Sequence, residues 1–358
     1  MNFIAHKNNH TAQDAGYLWR MGHRIAVFMG GLSSEQAISI QSGQTVFQAL
    51  DRTRFEVFGV ILEKNGWRAF NSANEPVEFD PKKMVLNVEN QWTSIHLAFN
   101  LIHGHPGEDG TLAIQWEALG IPYTSCSPAA SALTFHKAWT NGVISRLGVP
   151  VSPAVWTHAG VVPESLHQVL KALQFPLFVK PCRSGSSYGV TRIESLSELP
   201  DALAAAAAED DAIVIEQGVK GIEVGCGVAR LQGQTQTLGI TEIVPKKAFF
   251  DYAAKYEGLS EEITPARIPT SSGAQVEDFT RRVYDGLGLR GFCRADFILP
   301  ADGGAPVLIE INTVPGMSPE SIVPKQLAAR GTPLLEFTTL LAEQALKDAQ
   351  NRPFPGIF

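Results

Sequence analysis

Basic residues are in deficit. Lys and Arg number 29 against 36 Asp and Glu, a formal charge of −7. With no surplus to neutralise phosphates along a polymer, a nucleic-acid binder is excluded, and an anionic membrane surface fits no better. Cysteine is scarce. Cys126, Cys182, Cys226 and Cys293 are the 4 in the chain, too far apart for a CxxC or other metal-ligand spacing, and they read as small buried hydrophobes in a reducing compartment. Long hydrophobic runs are missing as well: "ALAAAAA" at 202–208 falls far short of the roughly 20 residues a bilayer demands. The start carries no charged–apolar–small signal pattern, and the chain has neither repeats nor a low-complexity linker. A small-molecule protein of the cytoplasm is the expectation.

What is present suits that class. The 358 residues are 44% hydrophobic and 18% charged, an ordinary globular composition with room for two or three modest domains. Residues 1–23 are polar and aperiodic, and are expected to be a disordered leader or the trace of an upstream start. "RIAVFMGG" (24–31) reads as a buried strand ending in glycines, "SSEQAISIQSGQTVFQAL" (33–50) as a serine-capped amphipathic helix, and "FEVFGVIL" (55–62) and "IHLAFNLIHG" (95–104) as further strands. "TLAIQWEAL" is helix-like. Strands alternating with helices predict a parallel, Rossmann-like sheet over 24–130.

From about 131 the texture changes. "SALTFHKAWTNGVISRLG" predicts one helix, and "FPLFVKP", a Gly/Ser loop, "VTRIES", another helix and "AIVIEQ" follow. After 221 the strands "EVGCGVARL", "TQTLGITEIV", "FCRADFIL" and "PVLIEINTV" dominate, closed by a helix at 333–347. The expected division is thus 24–130, a central lobe at 131–220, a C-terminal lobe at 221–348 and a tail at 349–358, an α/β region followed by an α+β one.

Several groups carry chemistry. "CRADFIL" and "VLIEINTV" flank "PADGGAP", whose Asp-Gly-Gly signals a hairpin. Side chains alternate faces along a strand, so Arg294 and Asp296 share one face and Glu310 and Asn312 share one face of the partner. If Leu299 pairs with Val307, Asp296 lies opposite Glu310 and Arg294 opposite Asn312. Two carboxylates facing across a ladder need a positive charge between them. Hard oxygen donors without His or Cys point to Mg²⁺ held jointly with phosphates; a solvated sheet face with an Arg–Asp pair gives the same pattern. "FVKPCRSGSSYGV" (178–190) puts Lys180 before a loop with Gly185, Ser186, Ser187 and Gly189, which suits phosphate or merely a flexible turn. It is not a P-loop, because the lysine precedes the glycines. "VIEQGVKGIEV" offers Glu216 and Glu223 for a purine hinge and ribose hydroxyls, or as surface glutamates. "LIHGHPGEDGT" places His103, Glu108 and Asp109 in a loop at the carboxyl edge of the sheet, where Glu35 also projects and where open α/β sheets bind ligands. A lone His or a helix-start Glu can equally be structural. "KKAFFDYAAKYEG" (246–258) crowds aromatics, lysines and Asp251 into a segment of no clear period, a lid in the making.

Taken in order, "GGLSSEQAIS", "HGHPGEDGT", "KPCRSGSSYGV", "FFDYAAKY", "GFCRADF" and "EINTVPGMSPES" make the chain resemble the D-alanine–D-alanine ligases of the ATP-grasp superfamily, from about residue 24 to 347. The resemblance implies a Rossmann-like N-terminal domain followed by a two-lobed ATP-grasp fold. It also implies an ATP-dependent joining of two D-alanines through a D-alanyl phosphate for peptidoglycan synthesis; a relative taking D-lactate or D-serine second is the alternative. Position by position it implies Asp296, Glu310 and Asn312 as ligands of two Mg²⁺ ions, with Mn²⁺ able to substitute. Lys137 and Lys180 would meet the phosphates, Lys255 would reach the γ-phosphate from the lid, and Ser186, Ser187 and Gln217 would belong to the nucleotide site with Glu216 and Glu223. Glu35 and His103 would hold the first D-alanine, Arg294 and the Gly316 N–H the oxyanion, and Ser321 the second carboxylate. Ser186 and Tyr256 would link to Glu35 and tie the lid shut, with Tyr256 favouring an amine nucleophile. The resemblance also implies a homodimer. Phe250 for the usual tyrosine, His105, Pro106 and Cys182 depart from the pattern and bear on lid behaviour and second-substrate choice.

Overall fold

The computed structural model describes residues 22–185, 188–245 and 260–351. Residues 1–21 of the proposed leader, the lid segment and Ser186, Ser187, Lys255 and Tyr256 lie outside them, whereas His23, expected in the leader, opens the first strand. The first region runs β1 (His23–Gly30), α1 (Gln36–Ala49), β2 (Phe55–Glu63), β3 (Gly66–Phe70), β4 (Pro76–Val77), β5 (Phe79–Asp80), β6 (Val85–Val88), β7 (Gln91–Ser94), β8 (Leu97–Asn100) and α2 (Thr111–Ala118). Its main sheet has the order β4-β3-β2-β1-β8, with β1 parallel to both neighbours and the β3–β4 edge antiparallel.

The continuous hydrophobicity of β1 follows from burial on both faces. Ile25, Val27 and Met29 pack with Val46 and Phe47 of α1, whereas Ala26 and Phe28 face Leu112, Ala113 and Trp116 of α2. Gly30 ends β1 at φ +91°, and a Cβ there would stand 2.3 Å from the Leu62 carbonyl oxygen, so only glycine lets the chain turn out of the sheet at this point. The loops after β1 and β8 leave from the same carboxyl edge.

The structure corrects three local expectations. Position Glu35, not a serine, is the N-cap of α1 and makes no side-chain cap; the nearby Ser33 Oγ accepts the Glu35 N–H and donates to the His103 carbonyl. The helix expected over 131–148 is broken at His136 into α3 (Pro128–Phe135) and α4 (Lys137–Ile144). His136 leaves the helical region (φ −98°, ψ 95°), and its ring accepts the Trp139 N–H as a cap. The small sheet β5-β6-β7 was not anticipated.

The central sheet, order β11-β10-β12-β9, is antiparallel: β9 (Ala154–His158), β10 (Leu177–Pro181), β11 (Thr191–Ile193) and β12 (Ala212–Gln217), backed by α5 (Pro163–Leu170) and α6 (Leu199–Ala207). The last sheet is antiparallel as well, with the order β15-β14-β13-β16-β17. It comprises β13 (Gly221–Leu231), β14 (Gln234–Pro245), β15 (Ser260–Ile263), β16 (Phe292–Pro300) and β17 (Val307–Asn312). α7 (Thr270–Gly286), α8 (Ile322–Ala329) and α9 (Leu334–Gln350) complete the described chain. Phe337 and Leu341 of α9 enter the same core as β1 and α1, so this helix ties the last region to the first. Among the described residues no helix is long and apolar enough to cross a membrane.

Candidate active site

The hairpin β16–β17 sets the central face. Asp296 stands opposite Glu310 and Arg294 opposite Asn312, but Val307 pairs with Ile298 rather than Leu299. The register shift between Asp296 and Phe297 restores the expected opposition, a bulge placed beside the functional side chains. Arg294 grips Asp296 with two bonds, Nε to Oδ1 at 2.7 Å and Nη2 to Oδ2 at 2.8 Å. Asn312 Nδ2 donates to Asp296 Oδ2 at 2.9 Å, which turns its own Oδ1 away from the pair. Burial works against the Arg294 charge, but the Asp296 carboxylate more than offsets it and pushes the guanidinium further above its usual range.

A cavity of about 690 Å³ lies between the central and last sheets, walled by Lys137, Phe178, Lys180, Glu216, Glu223 and Glu310 among others. Lys180 on β10 and Glu216 on β12 share a face and meet at 2.6 Å, with 14% and 4% of their side chains exposed. Asn141 of α4 donates to the other Glu216 oxygen at 3.2 Å. Burial works against the lysine's charge; the Glu216 carboxylate overrides it and holds the ammonium above its ordinary range. Lys137, the first residue of α4, donates to the Ser184 carbonyl at 2.7 Å and stands 3.7 Å from Glu310. Gln217 lines the cavity, but its Oε1 accepts the Gln174 N–H, so that side chain holds the loop before β10.

A second cavity, about 330 Å³, shares Lys137, Gly185, Glu223 and Glu310 with the first and continues to Glu35, His103, Arg294, Gly316 and Ser321. The two cavities thus gather every described residue to which the resemblance gives a role. Gly185 lies against Glu35 so closely that a Cβ there would stand 2.5 Å from Oε2. Gly316 packs on Ser321 in the same manner, 2.7 Å from Oγ, and Ser321 Oγ lies 2.8 Å from Ser318 Oγ. His103 is 5% exposed, its Nδ1 2.6 Å from the Val314 carbonyl. Burial pushes its pKa down, against the pull of Glu35.

The family models described as D-ala D-ala ligase N-terminus and D-ala D-ala ligase C-terminus match residues 24–126 and 143–343 of this chain. The chain belongs to the D-alanine–D-alanine ligase family. Similar ligases are found in Flavobacterium psychrophilum, 42% identical over 302 residues that cover 84% of this chain and 91% of that one, and in Flavobacterium johnsoniae, 38% identical with 90% and 99% covered. Among solved structures, VanG D-Ala:D-Ser ligase from Enterococcus faecalis superposes with a TM-score of 0.80 at 29% identity, covering 91% of this chain and 100% of that one. D-alanyl-alanine synthetase A from Vibrio cholerae gives 0.81 at 28%, with 91% and 99% covered. The fold is therefore the ATP-grasp fold of these ligases.

A ligase of this family implies a divalent cation at the β16–β17 face. Among the described residues no group of three or more His, Cys, Asp or Glu could cage a metal alone. Asp296 and Glu310 nonetheless offer hard carboxylate oxygens, and Asn312 would add its Oδ1 once its amide turns over from the bond to Asp296, a set of the kind that holds Mg²⁺ when phosphates and water supply the remaining ligands. The donor set fits.

Two features escaped the sequence reading. Glu108, noticed only as part of a loop, points into the second cavity and accepts the Gly104 and Thr313 N–H groups at 3.1 and 3.2 Å. Burial first, and the neighbouring Glu35 second, raise its pKa to about 7. Its neighbour Asp109 instead closes the loop on His105 and the Thr111 N–H. Glu262 and Glu320 also line this cavity, and both reach Lys325, at 3.0 and 3.6 Å.

Proposed function

We propose that this enzyme joins two D-alanines at the expense of ATP, with the roles assigned to the residues above. The observation that carries the reading is the pair of cavities meeting at Lys137, Glu223 and Glu310, one lined by a charged lysine for phosphates, the other by a buried arginine. Lys137, Lys180 and, from the lid, Lys255 offset charge on the ATP phosphates, Ser186, Ser187 and Gln217 belong to the nucleotide site, and Glu216 and Glu223 serve the purine and ribose ends. A carboxylate oxygen of the first D-alanine, its ammonium held by Glu35 beside His103, attacks the γ-phosphorus as the bond to the leaving ADP oxygen breaks. Such a transfer needs positioning and charge neutralisation more than covalent help.

The free amine of the second D-alanine, its carboxylate on Ser321, then attacks the acyl carbon. Arg294 and the Gly316 N–H face the oxyanion that forms. Phosphate leaves with the bonding electrons, the nitrogen loses a proton, and D-alanyl-D-alanine results. Ser186 and Tyr256, linked to Glu35, would close the lid and keep water from the acyl phosphate. Asp296, Glu310 and Asn312 would hold Mg²⁺, or Mn²⁺ in its place, which would supply charge stabilisation at the phosphates.

Homodimeric assembly, a cytoplasmic place and a role in peptidoglycan synthesis belong to the same proposal and rest on the resemblance. D-serine as the second substrate is supported by the likeness to VanG. Phosphate release from ATP with D-alanine alone, then with D-alanine plus D-serine or D-lactate across pH, separates these readings. Release with D-alanine alone is expected, abolished by EDTA and restored by Mg²⁺; no release overturns the reading.

A further inference from the structure

Residues 313–321 form no helix or strand between β17 and α8, yet they carry Gly316. Their backbone is held from the other end of the chain. Glu108 accepts the Thr313 N–H, His103 Nδ1 meets the Val314 carbonyl at 2.6 Å, and Ser42 Oγ accepts the Met317 N–H at 2.9 Å. Ser42 Oγ is also 3.4 Å from His103 Nε2. Proton accounting fixes the direction of this chain. A carbonyl only accepts, so His103 Nδ1 carries the proton, and a neutral ring then leaves Nε2 as an acceptor. The Ser42 oxygen takes the Met317 N–H, and its own proton goes to Nε2. Burial keeps the ring neutral, as this arrangement requires.

The relay runs Met317 N–H, Ser42, His103, Val314 C=O. It therefore clamps both sides of the Pro315–Gly316 step. Ser42 and Met317 are 0% exposed and Val314 3%, so water cannot substitute for a lost partner. Ser42 sits on α1, about two turns from the N-cap Glu35, so one helix presents the first-substrate pocket and braces the segment that carries the oxyanion donor.

We propose that Ser42 is a positioning residue for the second half of the reaction, holding the Gly316 N–H toward the reacting carbonyl through His103 and the Met317 N–H. This rests on the ligase reading above. Without the clamp the 314–317 turn relaxes and the oxyanion loses an aligned donor, while phosphoryl transfer to the first carboxylate, governed by the lysines and the metal face, proceeds.

The test measures two rates in Ser42→Ala: dipeptide formation, and scrambling of the β,γ-bridging oxygen of labelled ATP with D-alanine, which reports reversible acyl phosphate formation. Dipeptide formation should fall about tenfold or more, a misaligned donor costing less than the roughly hundredfold of a lost one, while scrambling stays within about threefold and the KM for ATP is unchanged. A proportional fall in both rates, as a general loss of folded enzyme would give, overturns the proposal, and so does no change in either. Ser42→Cys fills the same space with a weaker donor and should show an intermediate split, so the test survives if Ser42→Ala does not fold. Wild-type enzyme that neither scrambles ATP nor forms dipeptide would count against the ligase reading instead.

Discussion

Glu108 gives the structure its most direct thermodynamic consequence. The side chain lines the second cavity, with Glu35 and Glu310 acting on it, and its pKa is raised from 4.5 to about 7. The folded carboxyl keeps its proton up to about pH 7, whereas the unfolded one releases it near 4.5. Folding stability therefore falls as pH rises through that window, by up to about 1.4 kcal/mol per pH unit. The gap of about 2.5 corresponds to about 3 kcal/mol, fully developed above pH 7 and absent below 4.5. Glu108→Gln has the shape of the protonated acid, but its NH2 group cannot accept the second of the two N–H bonds, so at pH 5 it should be less stable than the parent by about 1–3 kcal/mol. Between pH 5 and pH 8 the variant should gain about 2–3 kcal/mol relative to the parent, because it carries no charge to bury. Denaturant midpoints of both proteins at pH 5, 6, 7 and 8, followed by tryptophan fluorescence, provide the comparison. A difference that does not change with pH, or a variant that loses ground as pH rises, would refute the electrostatic account of this carboxyl.

Two further outcomes are expected. Arg294→Ala should lower turnover at least about a hundredfold with a native circular dichroism spectrum, as expected for removal of an oxyanion donor; a near-normal rate would remove Arg294 from the reaction. Glu216→Gln strands the Lys180 ammonium in a buried site and should cost about 3 kcal/mol in thermal or denaturant unfolding. Adding Lys180→Met should return most of that stability, and a double variant no more stable than the single one would show that the pair is not the reason.

Local pattern made much of this site legible, and distance in sequence hid the rest. Alternation alone placed Arg294, Asp296, Glu310 and Asn312 on one face, since a period of two survives any even shift of register. It could not show the bulge, because nothing in "PADGGAP" distinguishes a turn pairing Leu299 with Val307 from one pairing Ile298. α7 was overlooked although Val276, Thr280, Val283 and Tyr284 recur at helical spacing and are all buried; the Ser-Ser-Gly at its start reads as loop. The β6–β7 hairpin turns through Glu89 and Asn90, both at positive φ, so the glycine that normally marks such a turn is missing. Ser42, His103 and Glu108 reach residues more than 200 positions away, and no local periodicity says which loops will meet.

The loop after β10 shows why these distant contacts matter to function. At its base Arg183 binds Asp210 through Nε and Nη2 at 3.1 and 2.6 Å and donates its backbone N–H to the same carboxylate, so the loop leaves the sheet at a fixed angle. One residue on, the Ser184 carbonyl holds Lys137. The next residue, Gly185, touches Glu35. Ser184 and Gly185 line both cavities, so these consecutive residues stand where the proposed phosphate and amino-acid ends of the site meet. Any side chain at Gly185 would have to displace the loop from Glu35 or Glu35 from its pocket, and the first movement would carry Ser184 and its hold on Lys137 with it. The glycine is therefore required by the meeting of two cavities rather than by the turn itself, whose φ at this position is not in the left-handed region.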